Sequence, residues 1–188
     1  MKRMLIWLAA LLLLAGCRTG GREGSKAPND LARPEKPPAL TVGAGEREVS
    51  ATLGTYSWAW PNGDGTSTGV EVDGMHPLDM LDYMTPLFPG DAGKVTLCFD
   101  LQGLDLDKLT VRRWPMAAAG DSDKYERDFE LLPFTAAGDR VTVDLPDEDG
   151  GIFEVHAHFT GESHGDGYYA FCLRSGIEGD ASVRVKMI

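Results

Sequence analysis

The amino-acid sequence predicts an all-β fold, an Ig-like antiparallel β-sandwich of about eight or nine strands with one short helical segment near residues 76–87. Apolar and polar residues alternate over short runs, as expected for strands with one buried face. Turn-forming residues separate these runs at a spacing of about ten residues, which is typical of a sandwich. The 23 Gly and 11 Pro favour many turns over long helices.

The first expected strand, residues 55–60, places Tyr56, Trp58 and Trp60 on one face, and the turn 61–65 leads into a second strand at 68–73. Leu78, Leu81 and Met84 follow at helical spacing, which predicts one helical turn or a short helix across one end of the sandwich. The remaining strands are expected at 95–101, 109–114, 129–134, 141–145, 153–159, 169–173 and 181–187.

The composition excludes several classes of protein. A hydrophobic content of 43% with 4 Trp, 5 Tyr and 7 Phe is too high for a disordered chain, and three Cys are too few for a disulfide scaffold. The 188 residues carry 18 basic and 29 acidic groups, a net charge of −11, which disfavours nucleic acid as a partner.

The N-terminal residues are typical of a secretory signal. Lys2 and Arg3 precede an apolar run at residues 4–15, shorter than the roughly 20 residues that span a bilayer. The run ends in Leu14-Ala15-Gly16-Cys17, which resembles the bacterial lipobox. That resemblance implies a signal peptide at 1–16, cleavage before Cys17 and a diacylglyceryl group on its thiol. The alternative is an ordinary cleaved signal with an incidental cysteine.

Charge divides the rest of the chain into two parts. Residues 18–45 hold five basic and three acidic groups, a net of +2, and their Gly, Pro and charge content predicts a lipidated flexible tether over 17–45. Residues 46–188 hold 11 basic and 26 acidic groups, a net of −15, and are long enough for one β-sandwich domain. The basic tether would lie on anionic lipid headgroups that repel the acidic domain, unless both charges serve only solubility.

Two of the cysteines invite comparison with immunoglobulin domains. Cys98 and Cys172 are 74 residues apart, and Trp114 follows the first by 16. Strand parity places each of them opposite the apolar face of its strand, so both sulfur atoms are expected to point away from the core. They could form a disulfide only from neighbouring strands of one sheet, and would otherwise be free thiols.

Three short segments carry a further resemblance. Residues 54–58 (GTYSW), 73–78 (DGMHPL) and 168–172 (YYAFC) resemble a group of uncharacterised secreted lipoproteins from Gram-positive, Clostridia-like bacteria. Together with the lipobox, this resemblance implies an extracytoplasmic lipoprotein anchored to the cell membrane. It implies no activity.

A metal site is one candidate function. His156 and His158 alternate along a strand, which places two imidazoles on the same side about 6–7 Å apart, a spacing that suits zinc or copper. If the turn 161–167 closes a hairpin with residue 160 opposite residue 168, Cys172 faces His156 and completes the set. The alternative is an ordinary solvated strand face.

The aromatic residues Tyr56, Trp58 and Trp60 give a second candidate, a platform that stacks on the sugar rings of a glycan. Aromatic residues at this spacing are equally explained as core residues. Acidic turns at 121–123 and 147–150 raise the possibility of calcium, but neither has the spaced oxygen ligands of an EF-hand.

Signals for catalysis are lacking, since the sequence has no Gly-x-Ser-x-Gly elbow, no phosphate-binding loop and no His-Glu-x-x-His helix. Ser163, His164 and Asp166 are crowded into one expected turn, where a catalytic triad cannot easily form. The sequence therefore predicts a non-enzymatic lipoprotein without a cofactor, anchored through Cys17 to the extracytoplasmic face of the cell membrane. Its role would be structural or the binding of a protein or a cell-envelope glycan, with metal binding as the alternative.

Overall fold

The structure, a computed structural model, describes residues 34–90, 92–145 and 150–175. In these ranges the chain forms twelve strands and four single 3₁₀ turns, and no α-helix. The strands are β1 Leu40–Ala44, β2 Arg47–Ser50, β3 Thr52–Pro61, β4 Ser67–Val72, β5 Pro86–Leu87, β6 Lys94–Phe99, β7 Asp105–Trp114, β8 Glu130–Leu131, β9 Phe134–Ala137, β10 Arg140–Asp144, β11 Gly151–Thr160 and β12 His164–Leu173. The 3₁₀ turns are Pro77–Asp79, Leu81–Tyr83, Met116–Ala118 and Ser122–Lys124.

The strands form two sheets, which confirms the predicted all-β sandwich. The five-stranded sheet has the order β2-β1-β6-β10-β9, and the seven-stranded sheet has the order β4-β3-β12-β11-β7-β8, with β5 beside β12. The pairings are antiparallel except for the short β5–β12 pair. More strands form than the eight or nine predicted, partly because β2, β5 and β9 have only two to four residues and give too few alternations to stand out in the sequence. The strand expected at 181–187 lies outside the described residues.

The predicted tether extends too far along the chain. Strand β1 pairs with β2 on one side and β6 on the other, and its apolar side chains are buried. Ahead of it, the backbone carbonyl of Pro34 accepts a hydrogen bond from Trp58 Nε1 at 2.8 Å, and that of Pro38 accepts one from the Tyr169 hydroxyl at 2.7 Å. Residues 34–45 are therefore part of the sandwich, and the Gly and Pro around β1 obscured its alternating pattern. Residues 17–33 lie outside the described part of the chain.

The main core fills the space between the sheets and is rich in aromatic rings. Phe159 meets the rings of Trp58 and Phe99 edge-on, with centroids 5.9 and 5.5 Å apart, and Phe153 stacks on Phe171 at 4.7 Å. Such pairs stabilise a core beyond the area that they bury. Because successive side chains of a strand point to opposite faces, the intervening residues of β11 and β12 lie on the outer face of the seven-stranded sheet.

The two cysteines lie in different sheets, Cys98 in β6 and Cys172 in β12, and neither forms a disulfide. As parity predicts, Cys172 lies outside the main core, in a second apolar cluster on the outer face of the seven-stranded sheet. Cys98 lines a shallow cleft on the outer face of the other sheet. The immunoglobulin-type bridge between sheets is therefore absent from this pair.

The second cluster is covered by the segment in which a helical turn was predicted. Residues 77–83 form two 3₁₀ turns that lie on the outer face of the sheet instead of across its end, and the chain then enters β5, which pairs with β12 in the sheet. From these turns, Leu78, Met80 and Met84 pack on Trp114 and Ile152. These turns therefore cover part of the outer face of the sheet.

Candidate functional site

A cleft of about 360 Å³ lies on the outer face of the seven-stranded sheet, next to the second apolar cluster. Its floor contains one row of residues across three strands, in which Glu154 of β11 lies between Arg112 of β7 and Ala170 of β12. All three residues of this row line the cleft. The cleft thus combines a concave shape with a charged group at its base, as many ligand sites do.

Glu154 is an unusual residue for a sheet face because it is charged and only 6% exposed. Arg112 Nη1 donates a hydrogen bond to its Oε1 at 3.4 Å. Burial raises the pKa of Glu154 above its ordinary value, although the charges of Arg112 and His156 act in the opposite direction. The ionised form of Glu154 is therefore held in the fold at a cost, which is a common property of functional carboxylates.

Arg112 is fixed between several groups. Its guanidinium lies 3.4 Å from Glu154, 3.9 Å from the exposed Glu126 and 4.8 Å from the centroid of the Phe129 ring. The ring contact adds a cation–π interaction to the two ion pairs. Arg112 is thus already neutralised on the cleft side by carboxylates.

His76 forms part of the wall of the cleft. Its ring stacks on Tyr125 at 3.8 Å and meets Trp114 edge-on at 5.3 Å. Its Nδ1 accepts a hydrogen bond from the backbone N–H of Leu78, which caps the first 3₁₀ turn. Burial lowers the pKa of His76, so the neutral imidazole is favoured, with its proton on Nε2.

The rest of the wall depends on close contact between two backbone segments. A Cβ on Gly74 would lie 2.6 Å from the Gly54 carbonyl carbon and the Thr55 nitrogen, so only glycine fits there. The Gly74 N–H also donates to Thr55 Oγ1 at 3.0 Å. The three segments 54–58, 73–78 and 168–172, which are far apart in the sequence, provide ten of the fourteen residues that line the cleft.

The comparisons with known proteins are negative. No family model, curated protein or solved structure matches this chain. Within the described residues, no helix has the length and apolar composition needed to cross a membrane.

The predicted set of metal ligands, His156, His158 and Cys172, is wrong in one of its three members. In the observed hairpin His158 pairs with Asp166, His156 with Tyr168, and Ile152 with Cys172, so Cys172 does not face His156. Each partner lies four residues earlier than predicted, because the loop is only residues 161–163 and β12 begins at His164. Burial raises the pKa of the Cys172 thiol, which disfavours the thiolate that a metal would need.

The two histidines instead share a carboxylate. His156 Nε2 and His158 Nδ1 lie 2.9 and 3.1 Å from the same oxygen of Asp166, and Tyr168 stacks on His156 at 4.2 Å. Partial burial raises the pKa of Asp166, but the hydrogen bonds to both histidines outweigh it and keep the pKa below its ordinary value. Among the described residues, no three His, Cys, Asp or Glu side chains are arranged to hold a metal ion.

The predicted glycan platform is also wrong. Trp58 is 1% exposed in the main core, and Tyr56 and Trp60 are half-buried and pack against that core. No flat row of exposed rings is left on this part of β3. The aromatic side chains of this strand serve the core, as the alternative interpretation of the sequence proposed.

The remaining sequence candidates do not form sites either. Asp121 accepts a hydrogen bond from the Asp123 backbone N–H at 3.1 Å and so caps a 3₁₀ turn, while residues 147–149 lie outside the described residues. Ser163 is buried and His164 is exposed, and Asp166 is hydrogen-bonded to His156 and His158. Arg112, Glu126 and the wall position of His76 were missed, because no local pattern shows which distant segments a sheet brings together.

Proposed function

We propose that this chain is a lipid-anchored protein of the extracytoplasmic face of a cell membrane, and that it binds a small ligand non-enzymatically in the cleft. The observation that supports ligand binding most strongly is Glu154, a nearly buried carboxylate beside open space at the base of a concave site. Carboxylates whose pKa is perturbed by burial cluster at functional sites.

Support for the anchor comes from the sequence. A basic start, an apolar run too short to span a bilayer and a cysteine after Leu14-Ala15-Gly16 stand in the order that lipidation requires. The resemblance of three other segments to secreted lipoproteins agrees with this assignment. The proposed membrane partner is reached through a diacylglyceryl group on Cys17.

Replacement of Cys17 tests the anchor. We expect Cys17→Ala to move the protein from the membrane fraction to the soluble fraction and to abolish incorporation of labelled palmitate, because the thiol is the proposed attachment point. Cys98→Ala is the matched control, since it removes a free thiol of the folded domain and should alter neither result. Unchanged membrane retention and labelling of Cys17→Ala would contradict the proposed anchor.

Chemical-shift mapping tests the cleft. We expect some members of a set of small cationic, neutral and anionic compounds to shift the backbone amide signals of Gly54 and Gly74, which line the cleft. Gly43 and Gly45 line the shallow cleft on the other sheet and serve as the internal control. If no compound shifts the amide signals of Gly54 and Gly74, or if the signals of all four glycines shift alike, the result would argue against a ligand site here.

A further inference from the structure

We infer that the ligand of this cleft is a small organic cation, a protonated amine whose ammonium group lies against the carboxylate of Glu154. This inference rests on the proposed function for the location of the site and adds the chemical class of the ligand. Three independent properties of the cleft support it: its charge, the incomplete pairing of Glu154, and the shape and composition of its walls.

The charge of the cleft favours a cation. Three carboxylates line it, on Asp73, Glu126 and Glu154, against the single guanidinium of Arg112. His76 adds no positive charge in its favoured neutral form. An anionic ligand would have to approach Arg112 past carboxylates that already pair with it, whereas a cation meets a local excess of negative charge.

The pairing of Glu154 is incomplete. A carboxylate can accept about four hydrogen bonds, and Arg112 is the one side chain of the described residues that donates to Glu154, over a long 3.4 Å. An ammonium group carries up to three N–H donors and a full positive charge. In this partly dehydrated site, such a group would offset the cost of keeping Glu154 ionised more effectively than a neutral ligand could.

The size and walls of the cleft favour an organic cation over a bare metal ion. A volume of about 360 Å³ is large for one ion, and the described residues form no cluster of metal ligands. The rings of Tyr168 and His76 and the side chain of Met80 line the cleft beside the carboxylates. Aromatic and apolar surface next to a carboxylate suits the carbon skeleton of an amine.

Three four-carbon compounds that differ in charge provide the test. We expect titration of the full-length protein with 1,4-diaminobutane to shift the amides of Gly54 and Gly74, while 1,4-butanediol binds at least tenfold more weakly and succinate does not bind. Calorimetry of the same titrations gives the affinities. Because the interaction is ionic, the diamine affinity should fall as salt is added.

Variants that remove one negative charge locate the interaction. Glu154→Gln should weaken diamine binding at least tenfold, whereas Glu71→Gln removes the same charge from an exposed position on β4 and should change it less than twofold. Glutamine has the shape of glutamate and keeps a side-chain oxygen that can accept the hydrogen bond of Arg112, so a thermal melt of Glu154→Gln checks that the variant is folded. If that variant does not fold, Glu126→Gln, whose side chain is 82% exposed, should weaken binding several-fold instead.

The outcomes separate the two proposals. Binding of succinate or of the diol at Gly54 and Gly74 in preference to the diamine overturns the cationic ligand and leaves the cleft as a ligand site. Equal losses of diamine affinity in Glu154→Gln and Glu71→Gln overturn the contact with Glu154, because they would mean that the diamine responds only to the net charge of the domain. Absence of any shift at these glycines with all three compounds counts against the ligand site itself.

Discussion

Trp58→Ala is expected to lower the free energy of unfolding by about 3–5 kcal/mol. The indole is 1% exposed, meets Phe159 edge-on in the main core and donates its Nε1–H to the carbonyl of Pro34. Its removal would leave a cavity between the sheets and an unpaired carbonyl ahead of β1. Urea or guanidinium denaturation followed by circular dichroism measures the difference.

Trp60→Ala is the matched control for this experiment. Trp60 lies on the same strand and the same face but is only half-buried, so its loss should cost clearly less than that of Trp58. Equal and small effects of the two substitutions, below about 1 kcal/mol, would contradict the buried position of Trp58. They would also reopen the glycan platform that the structure argues against.

Gly165→Ala is expected to destabilise the sandwich by about 4 kcal/mol or more, or to prevent folding. A Cβ at this position would lie 2.1 Å from the backbone oxygen of Ser57, and the residue has a φ of +144°, which side chains rarely adopt. The clash involves backbone on both sides, so it cannot be relieved by rotating a side chain. Thermal and chemical denaturation of the purified variant measure the loss.

Gly93→Ala is the control, because nothing lies within 4 Å of the added Cβ. Its effect should stay within about 0.5 kcal/mol. Full stability of Gly165→Ala would mean that β3 and β12 do not approach as closely as described. It would favour the longer loop that the sequence suggested, with Gly165 in a turn instead of a strand.

Alternation, together with the spacing of the turn residues, was sufficient to predict the fold class. In β6, β10 and β11 the apolar residues recur at every second position, so the sequence gives both the strand and the face that is buried. The same argument correctly placed Cys172 and His156 on the outer face, because an error of four residues in the pairing leaves the faces unchanged.

The register between β11 and β12 and the residues of the cleft could not be predicted from alternation. Gly165 and Gly167 suggest a turn in the sequence, yet both lie in β12. A Cβ on Gly165 would lie 2.1 Å from the Ser57 oxygen of β3, and a Cβ on Gly167 would lie 3.0 Å from the Tyr169 ring, in tight contact. Whether a glycine marks a turn or a close approach depends on a neighbouring strand that is far away in the chain. The cleft depends on such neighbours throughout, since Arg112, Glu154 and His76 come from three separate elements.

The position of β1 has a mechanical consequence under the proposed N-terminal anchor. Strand β1 pairs with four residues of β2 and four of β6, in both cases antiparallel. A pull along this strand would load the hydrogen bonds of both ladders in shear, so that many must break together and not one after another. We therefore expect the N-terminal end of the sandwich to resist force well, with the hydrogen bonds to the Pro34 and Pro38 carbonyls breaking first.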